Sequence, residues 1–196
     1  MSGGTLMKNP DLILFVGPMF GGKTTRLLAS LDRYHHQRKN IVAFKPKLDE
    51  RYGTASINTH MGGKIDAVRV ANGAEIEDRV SRLVNYPDVV AVDEAFMIPG
   101  SGESLINLYK SGITILASTL QLASTGNSYE EVEVLMPWAT KIEICPAVCT
   151  ECGEDAFFTT KTGGCPEDEI EVGGSELYEP RCWNHFTNLT QDNISK

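Results

Sequence analysis

Apolar residues along this chain fall in short runs separated by longer amphipathic or polar stretches. Residues 12–16 (Leu-Ile-Leu-Phe-Val), 41–44, 89–92 and 113–117 are compact apolar runs of strand length, and 141–145 adds a fifth strand. Between them the apolar spacing becomes helical. From Thr25, Leu27, Leu28 and Leu31 share a helix face, and the pattern predicts a helix ending at residues 38–40, where basic residues and Asn40 follow one another. His35 and His36 fall in that last turn, as exposed cations suited to a helix C-terminus. Residues 74–84 carry Ile76, Val80, Leu83 and Val84 on one face, and 103–110 predict a third helix. Strands alternating with helices predict an α/β fold, a parallel sheet with helices on both faces.

Ligands of such sheets bind beyond the carboxyl ends of the strands, and the chemistry-bearing residues collect there. Gly17, Pro18, Met19, Phe20, Gly21, Gly22, Lys23 and Thr24 fit G-x-x-x-x-G-K-[ST], directly after the first strand and before the first helix. Glycines let backbone N–H groups converge on phosphate oxygens, and the helix N-terminus adds its positive dipole end. Lys23 would reach the β- and γ-phosphates and Thr24 would ligate Mg²⁺. The strand at 89–92 runs into Asp93 and Glu94. Asp93 is placed to hold the Mg²⁺. Glu94, one residue further, is placed to take a proton from an attacking hydroxyl. Ser118 and Thr119 end the next strand, and residues 120–130 read as a long polar loop lining the same crevice. Residues 49–63 read as a functional loop or a small hairpin. Within it Arg51 is a candidate for offsetting charge on a transferring phosphoryl group.

Two further stretches change the picture. Cys149, Cys152, Cys182 and His185 form two knuckles with two-residue gaps, a ligand set suited to tetrahedral Zn²⁺. Some thirty residues separate the knuckles, which predicts a zinc-stapled excursion with a closed, structural site. Cys145 reads as core and Cys165, before a proline, as a loop residue. The segment 169–178, with Gly173 and Gly174, is either a flexible lid or an ordinary hairpin.

Charge and composition then exclude whole classes. A formal net charge of −8 over 196 residues argues against a nucleic-acid surface. No apolar run approaches membrane-spanning length and no secretory leader is evident, so a cytoplasmic protein with no membrane partner is expected. Five cysteines suit metal binding better than a disulfide framework. The expected layout is a flexible start at 1–10, a P-loop α/β nucleotide-binding domain at 11–145, a zinc-binding lid subdomain at 146–188 and a flexible tail at 189–196.

Taken together, the stretches 17–24, 49–52, Thr59 with His60, 92–95, 147–152 and 173–185 resemble the type II, or cellular-type, thymidine kinases, over nearly the whole chain from Leu12 to His185. The resemblance implies a P-loop NTPase-like fold with a small C-terminal zinc-binding lid. It implies ATP as phosphate donor, Mg²⁺, structural Zn²⁺, thymidine or deoxyuridine as acceptor, dTTP as a feedback inhibitor and a homotetramer. By position it makes Glu94 the general base and Asp93 the metal-holding acid, with Lys23 and Arg51 near the reacting phosphates. It places Met19, Thr159, Glu171, Gly173 and Tyr178 around the nucleoside. The chain departs from the family where Phe96 replaces a glutamine and Met97 an aromatic, and Leu122 stands where the family has an aromatic against the base. Tyr129 supplies the second aromatic of that pocket. These departures leave open a kinase for a different deoxynucleoside. A P-loop NTPase switch acting on a protein partner is the alternative from another class.

Overall fold

The computed structural model describes residues 9–49, 56–58, 63–164 and 170–186. In chain order the strands are β1 (Leu12–Val16), β2 (Ile41–Pro46), β3 (Ser56–Asn58), β4 (Lys64–Asp66), β5 (Val68–Val70), β6 (Val89–Val92), β7 (Thr114–Thr119), β8 (Lys141–Ile144), β9 (Ala147–Val148), β10 (Asp155–Ala156), β11 (Phe158–Lys161) and β12 (Tyr178–Arg181). The helices are α1 (Lys23–His36), α2 (Gly73–Ser81), α3 (Ser101–Lys110) and α4 (Glu130–Leu135). Short 3₁₀ turns occupy Ala95–Met97, Met136–Trp138 and Trp183–His185.

Six strands form one sheet in the order β5-β2-β6-β7-β1-β8, and every pairing within it is parallel. Side-chain alternation divides its core into two layers. Leu12, Leu14, Val16, Phe44, Val90, Val92, Ile115 and Ala117 pack beneath Ile76 and Val80 of α2, Leu105 and Leu108 of α3 and Leu135 of α4. On the other face Phe15, Ala43, Val89, Ala91 and Leu116 pack beneath Leu27 and Leu31 of α1, joined by Ile57 of β3. Both faces are therefore dry, which is why the central strands read as continuous apolar runs rather than alternating ones.

Element boundaries shift by a few residues from the sequence reading. α1 begins at Lys23 and stops at His36, because Arg38 adopts a left-handed φ of 58° and Lys39 N–H closes back on the Tyr34 carbonyl. α2 ends at Ser81, short of 84, and Val84 is left fully exposed. Of residues 49–63 the described residues 56–58 form β3, which pairs antiparallel with β4: Ser56 with Asp66 and Asn58 with Lys64. Cys145 is core, packed with Phe15 and Leu27, whereas Cys165 lies outside the described residues. Among the described residues no helix is long and apolar enough to cross a membrane.

Candidate active site

The loop after β1 is shaped by a close approach. A Cβ at either Gly17 or Gly21 would sit 2.2 Å from the carbonyl oxygen of Cys145, the residue that follows β8 and donates its own N–H to Val16. Only glycine lets the loop pass so near that backbone. Lys23 is buried at the start of α1, and its ammonium donates to the Pro18 carbonyl at 2.7 Å, folded back across the loop. Met19 N–H donates to Thr159 Oγ1 at 3.0 Å, tying the loop to β11.

The acidic residues are positioned by sheet register. Phe44 is level with Val92 and Val92 with Ala117, so Lys45, Asp93 and Ser118 come next in a row across three adjacent strands. Asp93 is buried there. Thr24 Oγ1 donates to its Oδ1 at 3.0 Å, and Ser118 Oγ donates to the same oxygen. Burial, followed by the neighbouring charge of Glu94, pushes the Asp93 carboxyl up to about 6, against the lowering effect of the two hydroxyl donors. Glu94 leaves the strand with a left-handed φ of 53°, its N–H on Ser118 Oγ at 3.2 Å. That φ is uncommon for a residue other than glycine, and it turns the chain abruptly into the Ala95–Met97 turn.

Two clefts meet at this point. The larger is polar and bounded by Gly22, Lys23, Thr24, Lys45, Asp49, Asp93 and Glu94. The smaller is mostly apolar. Met19, Met97, Tyr129, Thr159, Glu171, Gly173 and Tyr178 line it, together with Phe96 and Leu120. Glu94 and Met19 border both clefts. Within the smaller one the rings of Phe96 and Tyr129 lie 4.6 Å apart between centroids, tilted by 42°. The segment that roofs it is anchored by Tyr178 Oη on the Glu171 carbonyl at 2.8 Å and by Lys161 on the Glu171 carboxylate at 2.7 Å.

The four knuckle residues converge. Their ligand atoms all lie within 4.8 Å of one another. Cys152 Sγ is 3.6 Å from Cys182 Sγ, and His185 Nδ1 is 3.2 and 3.6 Å from the sulfurs of Cys182 and Cys149. Tetrahedral zinc, with metal–sulfur bonds of about 2.3 Å, requires sulfurs about 3.8 Å apart. The cluster therefore fits a zinc ion with little adjustment. Burial opposes ionisation of Cys149, but backbone N–H donors, chiefly that of Cys182, bring its thiol down to about 6, toward the thiolate a metal needs.

Comparison with known proteins decides the family. The model for the family described as thymidine kinase matches residues 10–186. A thymidine kinase of Pyrobaculum aerophilum is 33% identical over 180 residues, covering 89% of this chain and 97% of that protein. One from Pseudothermotoga lettingae is 32% identical over 183 residues, with coverage of 93% and 97%, and one from Thermococcus kodakarensis 33% identical, with 89% and 92%. The chain belongs to the thymidine kinase family. It is accordingly a kinase that uses ATP. Among solved structures, the genome packaging NTPase B204 from Sulfolobus turreted icosahedral virus 2, in complex with sulfate, aligns over 74% of this chain and 77% of that chain at TM-score 0.47 and 17% identity, too distant a likeness to bear on function.

Set beside that membership, most of the residues singled out in the sequence come together. Leu122 does not line the apolar cleft. It is half-buried in the loop, and Leu120, two residues earlier, holds the wall instead. Phe96, noted in the sequence only as a departure, contributes the ring that Met97 lacks. Arg51, Thr59 and His60 lie outside the described residues. Sequence reasoning missed Lys45, a buried cation in the polar cleft. The signal was available: Lys45 ends an apolar strand, as Asp93 does, and strand ends are where ligands bind.

Proposed function

We propose that this kinase transfers the γ-phosphoryl group of ATP to the 5′-hydroxyl of thymidine, with deoxyuridine as a second acceptor. The observation that carries the reading is the shared border of the two clefts: one carboxylate, Glu94, faces both the polar phosphate side and the apolar side. In this reading residues 17–24 hold the donor's phosphates, and Lys23 and Arg51 offset charge on the transferring group. Glu94 accepts the proton of the 5′-hydroxyl as the new oxygen–phosphorus bond forms. The bond between the γ-phosphorus and the β,γ-bridging oxygen breaks, and ADP leaves.

Thr24 and Asp93 present hard oxygen donors side by side, and a buried carboxylate whose ionisation is disfavoured gains from a cation. They would hold Mg²⁺, which supplies positive charge to the phosphates when bound. Met19, Met97, Tyr129, Thr159, Glu171, Gly173 and Tyr178, with Phe96 and Leu120, would enclose the nucleoside. Zn²⁺ on Cys149, Cys152, Cys182 and His185 would be structural, because all four positions are filled by protein. A lid-bearing subdomain from residue 146, a cytoplasmic homotetramer and inhibition by dTTP belong to the same reading and rest on family membership.

The test is ATP consumption with Mg²⁺ against thymidine, deoxyuridine, deoxycytidine, deoxyadenosine and deoxyguanosine separately, with Glu94→Gln alongside. Turnover with thymidine, alone or with deoxyuridine, is expected. Glu94→Gln should bind ATP normally and turn over about 10²–10⁴-fold more slowly. Turnover only with another nucleoside would assign a changed acceptor to Phe96 and Met97. Absence of any nucleoside-dependent turnover would overturn the reading.

A further inference from the structure

We propose that Lys45 is a catalytic residue, a second lysine that binds an oxygen of the phosphoryl group being transferred; this rests on the kinase reading above. Three observations lead to it. The first is the face on which Lys45 emerges. Its neighbour Phe44 packs into the layer under α2 and α3, and Ala43 into the layer under α1. Alternation therefore sends Lys45 to the α1 side, at the carboxyl end of β2. Thr24 of α1 reaches down to Asp93 on that same side.

The second is its environment. Lys45 borders the polar cleft with Lys23, Thr24, Asp93 and Glu94, yet is only 4% exposed. The carboxylate of Asp49 stands 4.0 Å from its ammonium, beyond hydrogen-bond reach, and is itself buried. Among the described residues the ammonium makes no hydrogen bond. A buried cation with three donors and one distant counter-charge is costly to maintain unless a ligand anion completes it. The cleft's other business is phosphate.

The third is where in the cleft it lies. The order β2-β6-β7-β1 places Lys45 three strands from the glycine loop, about 14 Å at the usual strand spacing. The acid strand β6, carrying Asp93 and Glu94, lies next to it. A triphosphate seated in the loop at β1 brings its terminal group toward that acid strand, and Lys45 stands on the far side. Lys45 then touches the terminal phosphate and no other. As charge redistributes over that group during transfer, a fixed ammonium offsets it without reorganisation.

The measurement is affinity for ATP and for ADP by calorimetry, together with steady-state kinetics, for Lys45→Met, Lys45→Gln and Lys45→Arg. A lysine on the terminal phosphate predicts that Lys45→Met loses at least about tenfold in ATP affinity while ADP affinity holds within about twofold. It also predicts a kcat lower by about a hundredfold with little change in nucleoside KM. Lys45→Arg should keep the preference for ATP over ADP. A purely structural lysine would weaken both nucleotides together or neither, and that outcome, or a kcat within fivefold of wild type, would overturn the assignment. Should Lys45→Met fail to fold, Lys45→Gln gives the same ratio. Wild-type protein without nucleoside-dependent turnover would instead sink the kinase reading, so the two failures are told apart.

Discussion

At the scale of single residues, Asp93 is a buried carboxyl held in the polar cleft at the expense of stability. Its carboxyl is buried, with two hydroxyl donors sharing one of its oxygens, and its pKa rises from 3.8 to about 6. A folded-state pKa above the unfolded value means that this group's contribution to stability is complete below about pH 4 and is lost as pH rises through about 6. A rise of that size corresponds to about 3 kcal/mol. In buffer free of magnesium and nucleotide, Asp93→Asn should therefore gain stability relative to wild type as pH rises from 4.5 to 7.5. Urea unfolding at the two pH values measures that gain. An Asn–wild-type gap that does not change with pH would show that Asp93 is ionised without penalty. Phosphoryl transfer should meanwhile be lost in the variant, as the proposed role of Asp93 in holding Mg²⁺ requires.

Elements tie these residues together, and the least legible of them does much of the tying. Glu131, in the first turn of α4, accepts from the N–H of Gly100 and of Gly102 at 2.6 Å each, closing the N-terminus of α3 from outside. Ser101, between them, donates to the carbonyl of Ala95 at 2.9 Å, so the same contact steadies the turn that carries Phe96 and Met97 into the apolar cleft. α4 also carries Val132, which packs with Leu120, Tyr129 and Phe96. Each hydrogen bond to a charged acceptor is worth about 1.5–3 kcal/mol when buried, and less at a half-exposed carboxylate that water also solvates. Glu131→Ala should accordingly lower unfolding free energy by about 2–3 kcal/mol, whereas Glu130→Ala on the exposed side should change it by less than about 0.5. Equal losses in the two variants would remove the clamp from the account. None of this was legible in the sequence. Residues 130–135 are too few for a helical period to register, and the three residues of β5 are too few for alternation. The long apolar strands and α1 to α3 were legible because burial on both faces of a sheet forces their composition. The phosphate loop was legible because close backbone approach forces glycine. Leu120 and Leu122 could not be told apart, since a loop has no period to say which residue turns inward. Lys45 was only half legible: its place at the end of an apolar strand was visible, but the register that sets it in line with Asp93 was not.

At the scale of the whole molecule, the glycine loop stands on the six-stranded sheet, while much of the apolar cleft hangs from the hairpins that carry the knuckles. β11 reaches the loop through Thr159, which accepts from Met19 N–H, and Gln121 reaches the Phe157 carbonyl at 2.9 Å. Phe158 stacks on Phe186, with ring centroids 4.7 Å apart, just beyond the second knuckle. β12 leads directly into Cys182, and Tyr178, at its other end, carries the Glu171 segment over the cleft. A metal joining the knuckles would thus hold β11 against β12 and, through them, the roof of the cleft. Ala147, Cys149, Ala156 and Cys182 make only a small buried cluster between the hairpins, so a bound metal would add substantially to their order. Loss of the metal should consequently divide the two substrates. In a Cys182→Ser variant, or after exchange with a strong chelator, zinc content should fall from one per chain toward none and the KM for nucleoside should rise by about tenfold or more. ATP affinity should stay within about threefold, because Lys23, Thr24 and Asp93 rest on β1, β6 and α1, which do not need the hairpins. Parallel loss of both affinities would mean that the contact between Met19 and Thr159 carries the disorder into the phosphate loop. In that case the two clefts would form one cooperative unit rather than a rigid donor site with a separately stapled acceptor site.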